Sequence, residues 1–599
     1  MFYKLNKIQL TTLSFLFIAG CQTDLALDIN KESQEQIVNQ DIVFEKYLAD
    51  QWTQELKDNP IFASLLGNKE FNQNITSNTK EAYIKKRNDL YNNLLQLNSF
   101  NFEELNRQNK LNYQLKKISL ENALEASEYP SYYMSLNQRG GVQSYYETGD
   151  RLVYQTKKDY EDWLIRLSKY AINIVNTKIN LEEGLSNNYT QPKLVTEQVI
   201  AQIDNILNSN IDDNPYLKIF ISANESLFDK GEKEDLIERA KVLVELKILP
   251  AYMDLNNFLK NIYLPNSRST IGLNGVPMGD KWYEYSARYH TTTNLTPNEI
   301  HDIGLREVKR IRAEMEQIIE YLQWDGDFKS FLNYLRTSPR FYYDNPEDLL
   351  NAYLIMAKSI DPLLPKIFKV FPRAPYGVIP IPAESAPYTT TAYYNSPAKG
   401  RPGYFYANLY KPESRPKYEI PVLTVHEAVP GHHFQISIAQ ELENVPTFRK
   451  YQSFTAFVEG WGLYSEELGE FMDLYDDPYD KFGQLTYDMW RAIRLVVDTG
   501  MHYKNWSRQD AIDLFIENTA KSKLDIENEV DRYIAWPGQA LAYKIGQLKI
   551  LELRNKAEKQ LGDKYDIKDF HHEVLKRGSL PLDILEAYIN EWIDESLSS

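Results

Sequence analysis

Three of the chain's eight histidines fall in one stretch of eight residues, His426-Glu427-Ala428-Val429-Pro430-Gly431-His432-His433, with a carboxylate directly after the first. That combination suits zinc, which takes neutral imidazole nitrogens and a carboxylate as ligands, leaves a position open for water, and works with a second carboxylate that accepts the water's proton. In the H-E-x-x-H form of such a site both histidines lie one turn apart on one helix face, and the Glu is the general base. Here the second histidine comes two positions late. On an unbroken helix His432 would stand about 600° and 9 Å beyond His426, on the wrong face. Pro430 removes a backbone donor and Gly431 tolerates dihedrals closed to other residues, so a bulge or break there absorbs the two extra residues. His426 and His432 are therefore the expected metal ligands and Glu427 the expected base. His433, which regains the angular face about 10 Å along an unbroken axis, is the alternative second ligand.

A third ligand is expected from another helix, and in metallopeptidases of the gluzincin type it is a Glu downstream. The candidate is Glu459, in Phe454-Thr455-Ala456-Phe457-Val458-Glu459-Gly460-Trp461. A carboxylate in so apolar a setting is costly to bury unpaired, and a metal would offset that cost. Glu466, two turns on and near the same face, fits the task of holding a ligand imidazole. His290, His301, His502, His571 and His572 lack metal spacing and read as structural or substrate-contacting.

The stretch from His426 to Gln435, followed by Glu459-Gly460-Trp461, resembles the bacterial family called domain of unknown function 885, whose members look like zinc-dependent metallopeptidases of the gluzincin type. The similarity continues in order through Asp159 to Leu167, His290 to Leu305, Arg491 to Gly500, Pro537 to Tyr543 and Phe570 to Pro581, nearly the whole mature chain. The resemblance implies a metallohydrolase and a mainly α, multi-helix gluzincin-like architecture with a small β-sheet next to the metal-binding helix. It names no substrate, and the inserted Pro-Gly departs from standard gluzincins. Related mechanisms use a Tyr or His as a second oxyanion donor, and Tyr543, in the family-like segment, is the candidate here ahead of Tyr533.

The elements that must position these residues are helices almost throughout. Thr296-Pro297-Asn298-Glu299 is a capping box with proline at the first helical position, and Ile300, Ile303, Val308, Ile311 and Met315 carry its apolar stripe onward. Similar patterns run over 45–57, 160–179, 195–207, 234–259, 349–357, 539–560 and 582–593. The exception is 374–409, rich in Pro, Tyr and Thr, where Val378 to Ile381 and Tyr404 to Asn408 read as strands. An edge strand there, just before His426, suits pairing with a substrate backbone.

The N-terminus reads as an address. Lys4 and Lys7 precede an apolar run from Leu13 to Ile18, and Ile18-Ala19-Gly20-Cys21 matches a bacterial lipoprotein cleavage box. The run is far shorter than the roughly 20 residues of a membrane span. Cys21, the only cysteine, is the expected lipidation site, which leaves no thiol or disulfide chemistry. Gln22 after it leans toward outer-membrane sorting in a Gram-negative cell. The expected organisation is a signal peptide over 1–20, a tether over 21–41, an N-terminal helical sub-domain over 42–265 and a metal-binding catalytic sub-domain over 266–599. A chain of 599 residues is long enough to need more than one core.

A net charge of -17 argues against nucleic acid as a partner. No nucleophile elbow, phosphate loop or dinucleotide fingerprint is present. The expectation is a lipid-anchored zinc peptidase of the cell envelope acting on short peptides, an oligopeptidase, carboxypeptidase or dipeptidase. Zn2+ on His426, His432 and Glu459 would lower the pKa of a water toward ~7, and Glu427 would pass that water's proton to the leaving amine. The alternatives are a non-catalytic outer-membrane nutrient-binding lipoprotein, for which large size, helicity, lipidation and the 43 tyrosines fit equally well, and a zinc hydrolase of a non-peptide amide or ester.

Overall fold

The helices begin where the sequence places their caps. Thr296 accepts from the Glu299 N–H while the Glu299 carboxylate accepts from the Thr296 N–H, and the helix Pro297–Tyr321 follows. This is a computed structural model that describes residues 39–383 and 386–598. Among them the chain is mainly α, with one small three-stranded sheet. Cys21 and its cleavage box lie outside the described residues. The first helix, Gln40–Asp58, starts two residues before the expected start of the N-terminal sub-domain, because Asn39 caps it by accepting from the Asp41 N–H.

The expected helices lie within Gln40–Asp58, Lys157–Ser186, Lys193–Asn208, Pro346–Ile360 and Leu582–Ser598. The stretch expected over 234–259 is interrupted by π turns at Val244–Ile248 and Leu259–Tyr263. Each turn runs up to a proline, Pro250 or Pro265, and the wider turn makes room for a ring that an α-turn would press against the carbonyl four residues back. No helix among the described residues is long and apolar enough to cross a membrane.

The sheet consists of β1 (Tyr376–Pro380), β2 (Ala392–Asn395) and β3 (Gly403–Ala407) in the order β1-β3-β2, with β1 parallel and β2 antiparallel to β3. Two of these strands are the expected ones. The third, β2, has too short an alternation to stand out in sequence, and it becomes a strand by pairing Tyr393 with Tyr406 and Tyr394 with Phe405.

Six helices build the site: α1 (Ile420–Glu427), α2 (His432–Gln440), α3 (Thr455–Leu468), α4 (Pro478–Tyr503), α5 (Lys523–Ala535) and α6 (Ala542–Leu561). One core joins Phe44, Tyr47, Leu111 and Leu115 from the N-terminal region to Val425, Phe434, Trp461 and Ile550 behind these helices. Residues between Leu136 and Tyr263 form a separate core. The 599-residue chain thus divides its burial among several centres, as its length requires.

Helices α3 and α6 meet backbone to backbone. A Cβ on Gly460 would stand 2.5 Å from the Gly546 Cα, and one on Gly546 would stand 2.7 Å from the Gly460 Cα and collide with the Ala456 carbonyl. Glu459 immediately precedes Gly460, and Tyr543 lies one turn before Gly546, so this contact sets the separation of two candidate site residues. Gly546→Ala is expected to lower stability by about 1–3 kcal/mol through overpacking. Thermal melts against the exposed control Glu558→Ala on the same helix check this; equal melting temperatures would contradict the close contact.

Candidate metal centre

The segment that carries the histidines is two helices rather than one. Helix α1 stops at Glu427, Ala428 turns out of the helical region, the Val429-Pro430 peptide is cis, and α2 starts afresh at His432. Gly431 closes the turn with its N–H on the Val425 carbonyl at 2.9 Å, and a side chain there would collide with the His426 carbonyl. The sequence left a bulge or a break open; the chain takes the complete break. The two imidazoles nevertheless meet, ring centres 4.7 Å apart and nearly perpendicular.

Helix α3 supplies the third group. One ligand atom each from His426, His432 and Glu459 lie within 4.8 Å of one another. His432 Nε2 and a Glu459 carboxylate oxygen are 3.3 Å apart. Two donors each about 2.0–2.1 Å from a tetrahedral ion stand roughly 3.3 Å apart, so this pair already has the edge length of a zinc shell. Gly462 makes the approach possible, since a Cβ there would stand 2.9 Å from His426 Cε1 and 3.1 Å from its Nε2.

His426 is oriented from behind. Its Nδ1 donates to the Glu466 carboxylate at 2.8 Å, which leaves Nε2 as the free nitrogen, and Arg491 reaches the same Glu466 oxygen at 3.2 Å. Burial drives the His426 pKa well below its ordinary value, helped by the charges of His432, Arg491 and Arg494, so the imidazole is neutral, as a ligand must be. Burial pushes Glu466 up to about 8 against the pull of Arg491. For His432 burial opposes the charged form, but the hydrogen bond and charge of Glu459 outweigh it and raise the pKa. Glu459 is lowered in turn: burial acts against ionisation, and His432, Arg532 and Arg494 overcome it. The two shifts are the two sides of one charge-assisted pair. Glu427 is buried beside them, and burial lifts its pKa to about 7.

His433 is committed elsewhere. Its Nε2 donates to the Ala374 carbonyl at 3.1 Å and its Nδ1 accepts from the Tyr394 hydroxyl at 2.8 Å, tying α2 to the sheet. The alternative ligand therefore has no free nitrogen. Among the remaining histidines, His502 bridges the Leu273 N–H and the Tyr533 carbonyl, His571 bridges Tyr464 and the Ile367 carbonyl, and His301 meets Thr499. These three are structural. His290 is buried, with its Nδ1 3.3 Å from Thr455 Oγ1 at the start of α3.

The two candidate tyrosines differ in what their hydroxyls have left. Tyr533 donates to Glu529 at 2.8 Å and accepts from Arg494 and Trp490, so its oxygen is fully used. Tyr543 accepts from Arg532 at 3.3 Å and from Gln539 at 3.5 Å, which leaves its own proton to donate. Sequence reasoning missed the arginines around it. Arg491 and Arg494 share one face of α4 amid Ala492, Ile493, Leu495 and Val496, and two cations on a buried apolar helix are a legible sign of a buried anionic partner.

The family model described as "Bacterial protein of unknown function (DUF885)" matches residues 60–589. A crystal structure of a candidate lipoprotein from Colwellia psychrerythraea superposes with a TM-score of 0.88 at 26% identity, covering 93% of this chain and 100% of that one. A candidate lipoprotein of unknown function from Shewanella oneidensis shares the fold at TM-score 0.71 and 16% identity, over 91% of this chain and 99% of its own. No curated protein matches.

The geometry separates the adjacent histidines. His432→Ala is expected to lose tight zinc binding after metal loading, and His433→Ala to retain about one zinc per chain. Elemental analysis at equal folded fraction checks this, and loss of zinc from His433→Ala alone would reverse the assignment.

Proposed function

We propose a hydrolytic function for this chain, which belongs to the DUF885 family of bacterial proteins: zinc-dependent cleavage of peptide bonds in short peptides, with Glu427 as the general base. The observation that carries the reading is the convergence of His426, His432 and Glu459 within 4.8 Å, beside a buried and otherwise unexplained carboxylate at Glu427. A binding protein has no use for that fourth group. The gluzincin type fits the ligand set of two histidines and a glutamate from a following helix.

His426, His432 and Glu459 would hold the ion, and Glu466 would keep His426 in the tautomer with a free Nε2. Zinc, when bound, supplies Lewis acidity toward water and toward the scissile carbonyl. Glu427 accepts the water's proton and delivers it to the departing amine, for which a pKa near neutrality is well pitched. The free Tyr543 proton is available to the oxygen on which charge develops. Strand β2, at the edge of the sheet, presents alternate backbone groups that a peptide could pair with.

Both superposed structures are described as candidate lipoproteins, which supports the reading of Cys21 as a lipid anchor at the cell envelope. Outer-membrane sorting rests on Gln22. Cys21→Ser is expected to leave the membrane fraction or to remain unprocessed. Normal maturation with membrane retention would remove the anchor from this proposal.

Glu427→Gln keeps the shape of the site and removes the proton acceptor, so kcat/KM on a peptide library read by mass spectrometry is expected to fall by about 10²–10⁴ with zinc content unchanged. The sign of the pH dependence follows. The base works ionised, its pKa is about 7 in the metal-free chain, and a neighbouring dication pulls it down, so activity should rise with pH along a limb below 7. Zinc lost from Glu427→Gln would make Glu427 a ligand, and a zinc-loaded chain that cleaves no peptide would end the peptidase reading.

A further inference from the structure

Beside the metal ligands stands a concentration of positive charge that the hydrolytic chemistry does not consume. Arg494 and Arg532 share a single carboxylate, Glu529, at 2.9 and 3.3 Å. Both guanidinium groups are more than nine-tenths buried, and Arg494 Nη1 and Arg532 Nε have no hydrogen-bond partner. Buried cationic donors without a partner are expensive, and water or an anionic ligand completes them. Both arginines lie close enough to Glu459 to stabilise its charge.

A third cation comes from the N-terminal half of the chain. Asn137 and Gly140 exchange two backbone hydrogen bonds at 3.1 Å to form a tight hairpin with Arg139 at its tip. The hairpin is docked on α5 by Gln138, which donates to the Asp531 carbonyl at 2.8 Å, and the helix Lys193–Asn208 braces the contact, Gln202 donating to the Gln138 carbonyl and Gln198 to the Asp531 carboxylate. Arg139 is exposed, is within electrostatic reach of Arg532, Glu529 and Tyr543, and has no ion-pair partner among the described residues. The nearby acid Glu147 is engaged first by Arg151, one turn on in its own helix. The three arginines gather around Glu529, and Arg494 and Arg532 also reach the buried Glu459. Tyr543 lies among them, with Arg494 over its ring at 4.5 Å and Arg532 on its oxygen.

We infer that Arg139 and Arg532, backed by Arg494, receive the terminal carboxylate of a peptide whose last bond lies at the His426, His432 and Glu459 centre, so that the enzyme removes residues from the C-terminus. A planar carboxylate offers two oxygens to guanidinium forks and would meet the open donors of Arg494 and Arg532. The cluster flanks Tyr543 and Glu459, so an anchored carboxylate reaches the reacting centre from one residue away, whereas an internal stretch of chain would bring only a neutral amide to the arginines. The reaction adds one water across that last bond: the C–N bond breaks, a C–O bond forms on the carbonyl carbon, and the released amino acid takes a proton at its nitrogen. This assignment rests on the peptidase reading for its chemistry, while the carboxylate subsite can be tested without turnover.

The test uses the full zinc-loaded chain with Glu427→Gln, which holds substrate without cleaving it, and calorimetric binding of three probes: N-acetyl-Ala-Ala-Ala-Leu as the free acid, the same peptide as the C-terminal amide, and N-acetyl-Ala-Ala-Ala-Glu amide. The free acid is expected to bind about tenfold or more tightly than either amide, the scale of a charge-assisted hydrogen bond. Arg139→Gln, on an exposed hairpin tip where folding is spared, should bring acid and amide to within about threefold with zinc content unchanged. Equal affinity for acid and amide, binding of the glutamate amide as tight as that of the acid, or an acid preference untouched by Arg139→Gln would each overturn the inference. Acid-selective binding by a chain whose native form cleaves nothing would keep the subsite and remove the peptidase; cleavage of internal bonds with no preference for the acid would do the reverse.

Discussion

One hydrogen bond holds the interrupted histidine segment in register with the rest of the site. The Pro430 carbonyl sits in the turn between α1 and α2, where no helical N–H can reach it, and it accepts from the Trp461 indole at 2.8 Å. Trp461 is fully buried two residues after Glu459, and Ser465, one turn further, leans on the same oxygen at 3.4 Å. The group orphaned by breaking the helix is thus satisfied by the helix that carries the third candidate ligand. An unpaired buried carbonyl would cost about 1–3 kcal/mol, so the break and the placement of α3 stabilise each other.

From that joint the geometry propagates outward. Gly462 lets α3 press against the His426 ring, Gly460 lets α6 press against α3, and Tyr543 rides in on α6. On the other side His433 pins α2 to β2 through Tyr394, and Gly403 on β3 leaves the space that this bond needs. The short sheet and the long helices are held in one arrangement by close backbone approaches. Glycine at these points is a packing requirement, since at Gly460, Gly462, Gly403 and Gly546 the backbone dihedrals are ordinary.

The electrostatics follow the same division of labour. Glu466 and Arg491 stand behind His426, while Arg494, Arg532 and Arg139 stand around Tyr543, so the carboxylates of the centre face a positive wall. Such a wall stabilises the ionised form of Glu459 in a buried place, in a chain whose net charge is -17.

Much of this was readable from local chemistry. Pro430 and Gly431 point to a bulge or break in the helix by the lost donor and the missing side chain, Thr296 and Glu299 cap their helix through neighbouring atoms, and the apolar flank of Glu459 advertises a carboxylate in need of a partner. These are properties of a few adjacent residues, and the mainly helical fold with a small sheet before the histidines follows from the same kind of signal. What sequence left open depends on contacts across tens or hundreds of positions. That His432 and not His433 faces Glu459 follows from Tyr394 and Ala374, which occupy both nitrogens of His433. The difference between Tyr543 and Tyr533 in free donor capacity comes from Glu529, which takes the Tyr533 proton. Arg139 comes within electrostatic reach of Arg532 across almost four hundred residues because Gln138 finds the Asp531 carbonyl. Residue types limit which groups can ligate, cap or donate; only tertiary packing spends their hydrogen-bonding capacity, and a group's function is set by the capacity that remains.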